Sequence, residues 1–182
     1  AKEYYPTEYE RLKNYIKAGR WNISGSSWDS TDPNIPSPES FFRNLLYGQE
    51  FFKKEFGKKS NDIFLPDCFG FGYTLPTIAA HSGIIGFSTQ KLQHRKLPFY
   101  GDHKLPFMFG LWEGIDGARI MAVPHAQDYV SRFDGQELSN NGKLVDLAKN
   151  GLNNTVYHYY GAGDRGGSPT IASVRSVETG MK

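Results

Sequence analysis

An α/β fold built around a mostly parallel sheet is predicted by three features of this sequence. Short apolar runs alternate with segments of helical spacing, the two best runs each lead into a glycine-rich loop, and Ser or Pro stands where helices should begin. The first helix is expected just after Pro6. Thr7 with Glu10 has the form of a capping box, Tyr9, Leu12 and Ile16 recur at helical spacing, and Gly19 suits a stop. Residues 22–36, rich in Ser, Gly, Asp and Pro, read as a loop. Ser37 then takes the place of an N-cap with Pro38 at N1. It opens the clearest helix of the chain, with Phe41, Leu45, Phe52 and Phe56 close to one face and Gly57 to end it.

Ile63, Phe64 and Leu65 suit a short buried parallel strand closed by Pro66. TLPTIAAHSG predicts a short helix ending near Gly83, and IIGFST a second strand. Residues 90–109 are irregular, interrupted by Pro98 and Pro106. Ala118 to Val123 read as a strand and Leu144 to Ala148 as part of a helix. TVYHYY, from Thr155 to Tyr160, predicts a strand running into GAGDRGGSP. The closing helix, TIASVRSVE, is expected to be capped by Ser168 with Pro169 at N1. There is no internal repeat, and no linker divides the chain.

Composition removes several functional classes. The 182 residues suffice for one domain, and 38% hydrophobic with 22% charged residues describes an ordered globular chain. No apolar run approaches the ~20 residues that span a bilayer. A net charge of +2 with scattered Lys and Arg argues against nucleic acid. Lys53, Lys54, Lys58 and Lys59 bunch at the end of the second predicted helix, where cations suit the macrodipole. The lone Cys68 cannot form an intrachain disulfide and leaves the redox compartment open. Ala1 follows no Met and no basic-then-apolar leader, a start that processing and truncation both produce. The expectation is a soluble chain, cytoplasmic or periplasmic, of open oligomeric state.

Two acids stand where an α/β sheet places its chemistry. Asp67 follows the strand ending at Leu65, and Asp164 follows the strand predicted to end near Tyr160. Glycines beside each allow close approach of a substrate to the backbone. Paired carboxylates are the minimum for glycoside hydrolysis, although loops also carry Asp for turn-making alone. Loop aromatics (Trp28, Phe69, Phe71, Tyr73, Phe99, Tyr100, Trp112, Tyr159 and Tyr160) suit either sugar faces or core cover. Gly161, Gly163 and Gly166 also fit the G-x-G-x-x-G dinucleotide pattern, but an Asp lies inside the loop and no acidic strand follows. The five histidines form no metal-binding motif. His158 reads as a packed residue, His81 as a helix-surface one, and His125 keeps a possible site role.

In order, the segments WDSTDPNIPSPES, RNLLYGQEFFKKEFG, DIFLPDCFGFGYTLPTIAAHSGI, FSTQKL, LWEGIDGARI and GAGDRGGSPT resemble the catalytic domain of glycoside hydrolase family 38 α-mannosidases. The likeness is to the branch with cytosolic and many bacterial members, and it runs from about Pro6 along nearly the whole chain. It implies a partial (β/α)7-type barrel, residues 1–182 being part of the catalytic domain without its first strand motif and its C-terminal parts. It also implies a retaining exo-mannosidase that hydrolyses terminal α-mannosides of a glycan or oligosaccharide through a glycosyl-enzyme intermediate. Asp67, the Asp of LPD-x-FG, is the implied nucleophile and a Zn2+ ligand. The other implied ligands belong to H-x-D and F-H-D motifs that these residues do not contain, so the chain alone is expected to be inactive.

Asp164 matches the Asp of the family's G-x-GDGGGGPT loop, from which Arg165 and Ser168 depart, and is the candidate acid/base. Trp28 and Asp32 keep the ends of the family's W-x-E-x-D and are implied substrate-binding residues, with Ser30 in place of the Glu. Pro38 replaces the Gly of PSGES, and a polar insertion between Leu92 and Leu105 is expected to reshape one cleft wall. A non-catalytic or degenerate carbohydrate-binding domain of the same fold is the alternative.

Overall fold

Proline and glycine set the ends of the first two helices. The computed structural model describes residues 1–92, 108–133, 137–150, 154–164 and 166–181. Helix α1 spans Pro6–Lys17 and buries Tyr9 and Ile16. Its start corrects the expected capping box: Pro6 is already at N1, Tyr5 precedes it, and no side chain caps. Pro6 lacks an N–H and brings a helical φ, so Thr7 falls inside the first turn, where its hydroxyl cannot act as a cap. Gly19 follows the helix at φ +71°. Helix α2, Pro38–Phe56, begins as expected, Ser37 accepting from the Ser40 N–H, and ends at Gly57 in the left-handed region.

Strand β1 (Asp62–Phe64), helix α3 (Leu75–His81) and strand β2 (Gly86–Ser88) form a βαβ unit. Strands β3 (Gly110–Glu113) and β4 (Arg119–Val123) follow, and the sheet order is β1-β2-β4-β3. β1 and β2 are joined through a helix, the crossover that parallel neighbours need. Beyond β2, Thr89 donates to Val123 O and accepts from the Ala126 N–H, which is parallel pairing in the direction of β4. β3 and β4 are linked by five residues with Gly114 N donating to Ala118 O, so they form an antiparallel hairpin at the sheet edge.

A short 3-10 turn (Leu138–Asn140), helix α4 (Gly142–Asn150) and helix α5 (Ile171–Gly180) complete the described elements. Two sequence expectations fail here. TVYHYY is not a strand. Tyr159 N donates to Ala126 O, but Tyr157 N goes to the Met108 sulfur and Gly161 N to Ser131 O, so no ladder continues along it. α5 is capped by Thr170, whose hydroxyl accepts from the Ser173 N–H, and not by Ser168. The Thr170 cap places Pro169 outside the helix, one residue before the cap.

The chain packs as two compact units, Ala1–Phe87 with Trp112–Ile120, and Ser88–Leu111 with Met121–Lys182. The first has its core in Ile16, Phe41, Leu45, Ile63, Leu65, Leu75, Ile78, Ile84 and Phe87, all under a tenth exposed. Each such side chain contributes about 1.5–3 kcal/mol on burial. The second buries Ala122, Val123, Ala126, Phe133 and Ser173. No helix among the described residues is long and apolar enough to cross a membrane.

Candidate active site

The chain leaves the first unit's core at Leu65, which is buried, passes Pro66, and reaches an exposed Asp67. The turn that carries Asp67 is touched at two points by residues 28–38, a strap between α1 and α2. The Cys68 thiol donates to Thr31 O at 3.2 Å. At Gly70, φ is +152°, and a Cβ there would stand 2.9 Å from the Asn34 side-chain nitrogen. Glycine is required by both the backbone and this close approach. Asp32 closes an Asx turn, its Oδ1 accepting from the Asn34 N–H at 2.8 Å. Burial, then the carboxylates of Asp32 and Asp67, push the Cys68 thiol above its ordinary pKa, so both acids stand near the sulfur. A small cavity of about 180 Å³ lies alongside, lined by Pro33, Asn34, Phe41, Gly72, Leu75 and Ile78.

Trp28 sits at the start of the strap. Its N–H donates to Asn44 O at 3.0 Å, and its ring meets Phe51 edge-on at 5.5 Å while remaining 61% exposed. Phe69 and Tyr73, beyond Asp67, are also largely exposed. Exposed rings near carboxylates are the composition of a sugar subsite, where apolar C–H faces stack and hydroxyls find acceptors.

Asp164 belongs to the second unit. It is exposed, has φ +61°, and accepts a hydrogen bond from the Tyr129 hydroxyl. Its loop lies on that ring: a Cβ at Gly163 would fall 1.6 Å from a ring carbon. Tyr129 is held in turn by the buried Gln90, whose Oε1 accepts from the Tyr129 N–H at 2.8 Å. Sequence gave no sign of Tyr129 as the partner of this acid. Because no strand precedes the loop and α5 begins only at Ile171, the context required for a dinucleotide fingerprint is missing. Arg165 and the 92–105 insertion beyond Leu92 lie outside the described residues.

The histidines divide by environment. His81 is exposed and pairs with Asp116 at 2.7 Å; Thr77 donates to the same carboxylate at 2.8 Å. These contacts hold the Asp116 pKa down to about 2, the Thr77 hydroxyl contributing most. His125 and His158 are half-buried, and burial is the main reason each has a lowered pKa. His158 donates from Nδ1 to Tyr159 O and borders an apolar cavity of about 490 Å³ with Phe133, Leu144, Val156, Tyr160 and Val177. Among the described residues no group of three or more His, Cys, Asp or Glu is placed to hold a metal ion. They do not fit a complete zinc site.

A sequence profile described as Glycosyl hydrolases family 38 N-terminal domain matches residues 1–180. Alpha-mannosidase G of Dictyostelium discoideum is 42% identical over 180 residues, 97% of this chain and 16% of that protein. Alpha-mannosidase 2C1 of Homo sapiens is 35% identical over 173 residues, 93% of this chain and again 16% of the relative. The chain therefore spans about a sixth of the curated relatives' length. In three dimensions it resembles an alpha-mannosidase from Enterococcus faecalis V583, with TM-score 0.66 and 19% identity over 87% of this chain and 18% of that one. It also resembles a 4-alpha-glucanotransferase from Thermococcus litoralis, with TM-score 0.64 and 14% identity over 99% of this chain and 27% of that one. At such identities the two structures speak for the fold alone.

Proposed function

The chain belongs to the Glycosyl hydrolases family 38 N-terminal domain family, and from that premise we propose that it is the nucleophile-bearing part of a retaining α-mannosidase. The observation that carries the reading is the position of Asp67, exposed on the turn after β1, where the next residue, Cys68, is bonded to the strap at Thr31, the neighbour of Asp32. In this reading the β1–α3–β2 unit and the parallel β4 are part of a (β/α)7 barrel completed by residues other than these.

The Asp67 carboxylate attacks the anomeric carbon of a terminal α-mannoside, and the glycosidic oxygen leaves with a proton from the acid/base. The resulting ester is hydrolysed by water, which gives its proton to the same acid/base; two inversions leave the configuration retained. Asp164 is the proposed acid/base, on the match of its loop to the family pattern. Trp28 and Asp32 are proposed to hold the sugar, one through its ring face and the other through hydroxyls. Zn2+ would take Asp67 as one ligand. The described residues do not complete its coordination, and Asp67 enters the scheme as a carboxylate alone.

The test uses the full-length polypeptide that carries this chain, an aryl α-mannoside, and NMR detection of the first-formed sugar anomer. Retention is expected in the wild type. Asp67→Asn should abolish trapping of a glycosyl-enzyme by a fluorinated mannosyl donor and lower kcat by on the order of 10⁴-fold or more. Near-normal turnover by that variant would remove Asp67 from the role. The 182-residue chain assayed alone should turn over little or no substrate and bind zinc weakly.

A further inference from the structure

The strap beside the Asp67 turn is anchored differently at its ends and its middle. At its start, Asp29 exchanges two hydrogen bonds with the Asn44 side chain, each 2.9 Å, beside the Trp28 N–H on Asn44 O. At its far end Ser37 caps α2. Both ends are therefore fixed to α2. The middle of the strap meets that turn through the Cys68 thiol on Thr31 O and through Asn34 against Gly70.

We propose that Cys68 is a positioning residue, whose thiol clasps the strap to the Asp67 turn and so sets where the Asp32 carboxylate stands beside the nucleophile. The proposal rests on the roles given above to Asp67 and Asp32. Its physical basis is adjacency at both ends of one bond. Cys68 directly follows Asp67, and Thr31 directly precedes Asp32, so a single S–H···O contact fixes the spacing of the two backbones that carry the acids. The Asx turn at Asp32–Asn34 makes the receiving side stiff, and Gly70 with Asn34 supplies the second point that stops the strap from pivoting. A thiol suits the gap, because its C–S bond is longer than the C–O bond of a hydroxyl and reaches the carbonyl from a part-buried position. In this role Cys68 acts through the strap rather than on the substrate. Losing the clasp loosens Asp32 while leaving Asp67 on its turn, so substrate binding should suffer more than the chemical step.

The test compares Cys68→Ala with Cys68→Ser by two independent readouts. Amide hydrogen exchange over residues 28–36 reports the clasp itself and needs no activity. Steady-state kinetics with an aryl α-mannoside in the full-length enzyme reports its consequence. Cys68→Ala should speed exchange across Ser30–Asn34 several-fold and raise KM about fivefold, the worth of one modest hydrogen bond, with kcat within about twofold. Cys68→Ser restores a donor on a shorter bond, so it should recover only part of both effects and remain between the wild type and Cys68→Ala. Unchanged exchange in Cys68→Ala overturns the clasp, as does a fall in kcat with KM unaltered. If the wild type has no mannosidase activity, the proposed function fails, and the exchange arm still decides the clasp.

Discussion

At the scale of single residues, Gln49 shows how a buried polar side chain can hold two elements together. It lies on α2, is 5% exposed, and closes both backbone groups of Ser60: its Oε1 accepts from the Ser60 N–H at 3.0 Å and its Nε2 donates to Ser60 O at 2.5 Å. The same amide reaches the Ser26 hydroxyl at 3.3 Å, and that hydroxyl donates to Asp62 O at 2.6 Å, at the start of β1. Ser26 itself is fully buried at φ +52°, a backbone state that a residue other than glycine holds only where its surroundings fix it. Gln49→Leu keeps the volume but leaves the N–H and C=O of Ser60 without this partner in a site closed to water. It should cost about 2–4 kcal/mol, read as a lower urea midpoint at unchanged m-value. A loss below about 0.5 kcal/mol would mean that these groups find other partners. Nothing in the sequence marked Gln49, since a Gln among aromatics on a helix reads as a solvent-facing position.

At the scale of elements, α2 is the platform on which the strap lies, and Gly48 is the reason it can lie so close. A Cβ at Gly48 would stand 2.1 Å from Ser26 O and 2.7 Å from the Trp28 N, both backbone atoms that cannot swing aside. Gly48→Ala improves helix propensity by about 1 kcal/mol, but the overlap outweighs it. The expected net result is a destabilised chain with Trp28 pushed off Phe51, seen as a red-shifted and less structured tryptophan signal; a stabilised Gly48→Ala variant would refute the contact. The ends of α2 were legible from Ser37, Pro38 and Gly57 because caps are written in two or three adjacent residues. Elements that depend on partners were not. β3 was missed because four residues bounded by glycine gain strand structure only by pairing with β4, although the Asp116-Gly117 pair inside LWEGIDGARI was a hairpin signal that could have been used. TVYHYY failed for the converse reason: its β-branched and aromatic residues favour a strand, but its backbone donors are drawn off to Met108 and Ala126.

At the scale of the whole molecule, the candidate site was legible only in part. The place of Asp67 on an exposed turn after β1 could be read because strand, turn and glycine are local in sequence, whereas the contacts of that turn, Cys68 on Thr31 and Asn34 on Gly70, join segments more than thirty residues apart. The titrating groups are likewise set by tertiary packing, and they predict how stability follows pH. His125 and His158 have pKa values below the ordinary 6.5, chiefly through burial, with Lys143 opposing the charged form of each. The unfolded chain therefore takes up these protons first, and stability must fall as pH drops below about 6.5. Asp116 works in a lower window. Its pKa is depressed from 3.8 to about 2, so its contribution is present above 3.8, is lost between there and about 2, and is gone below. Glu55, held down by Lys2 and Tyr9, adds to the same acid loss. Urea midpoints measured from pH 8 to pH 2 should stay level down to roughly pH 7, fall through the histidine window, and fall again below about pH 4. Replacing both histidines by Gln should flatten the first step without touching the second. Asp116→Asn should shrink the second step while Glu55 keeps part of it. A midpoint that rises on acidification from pH 7 to pH 5 would reverse the sign assigned to His125 and His158, and with it the conclusion that the fold holds them neutral.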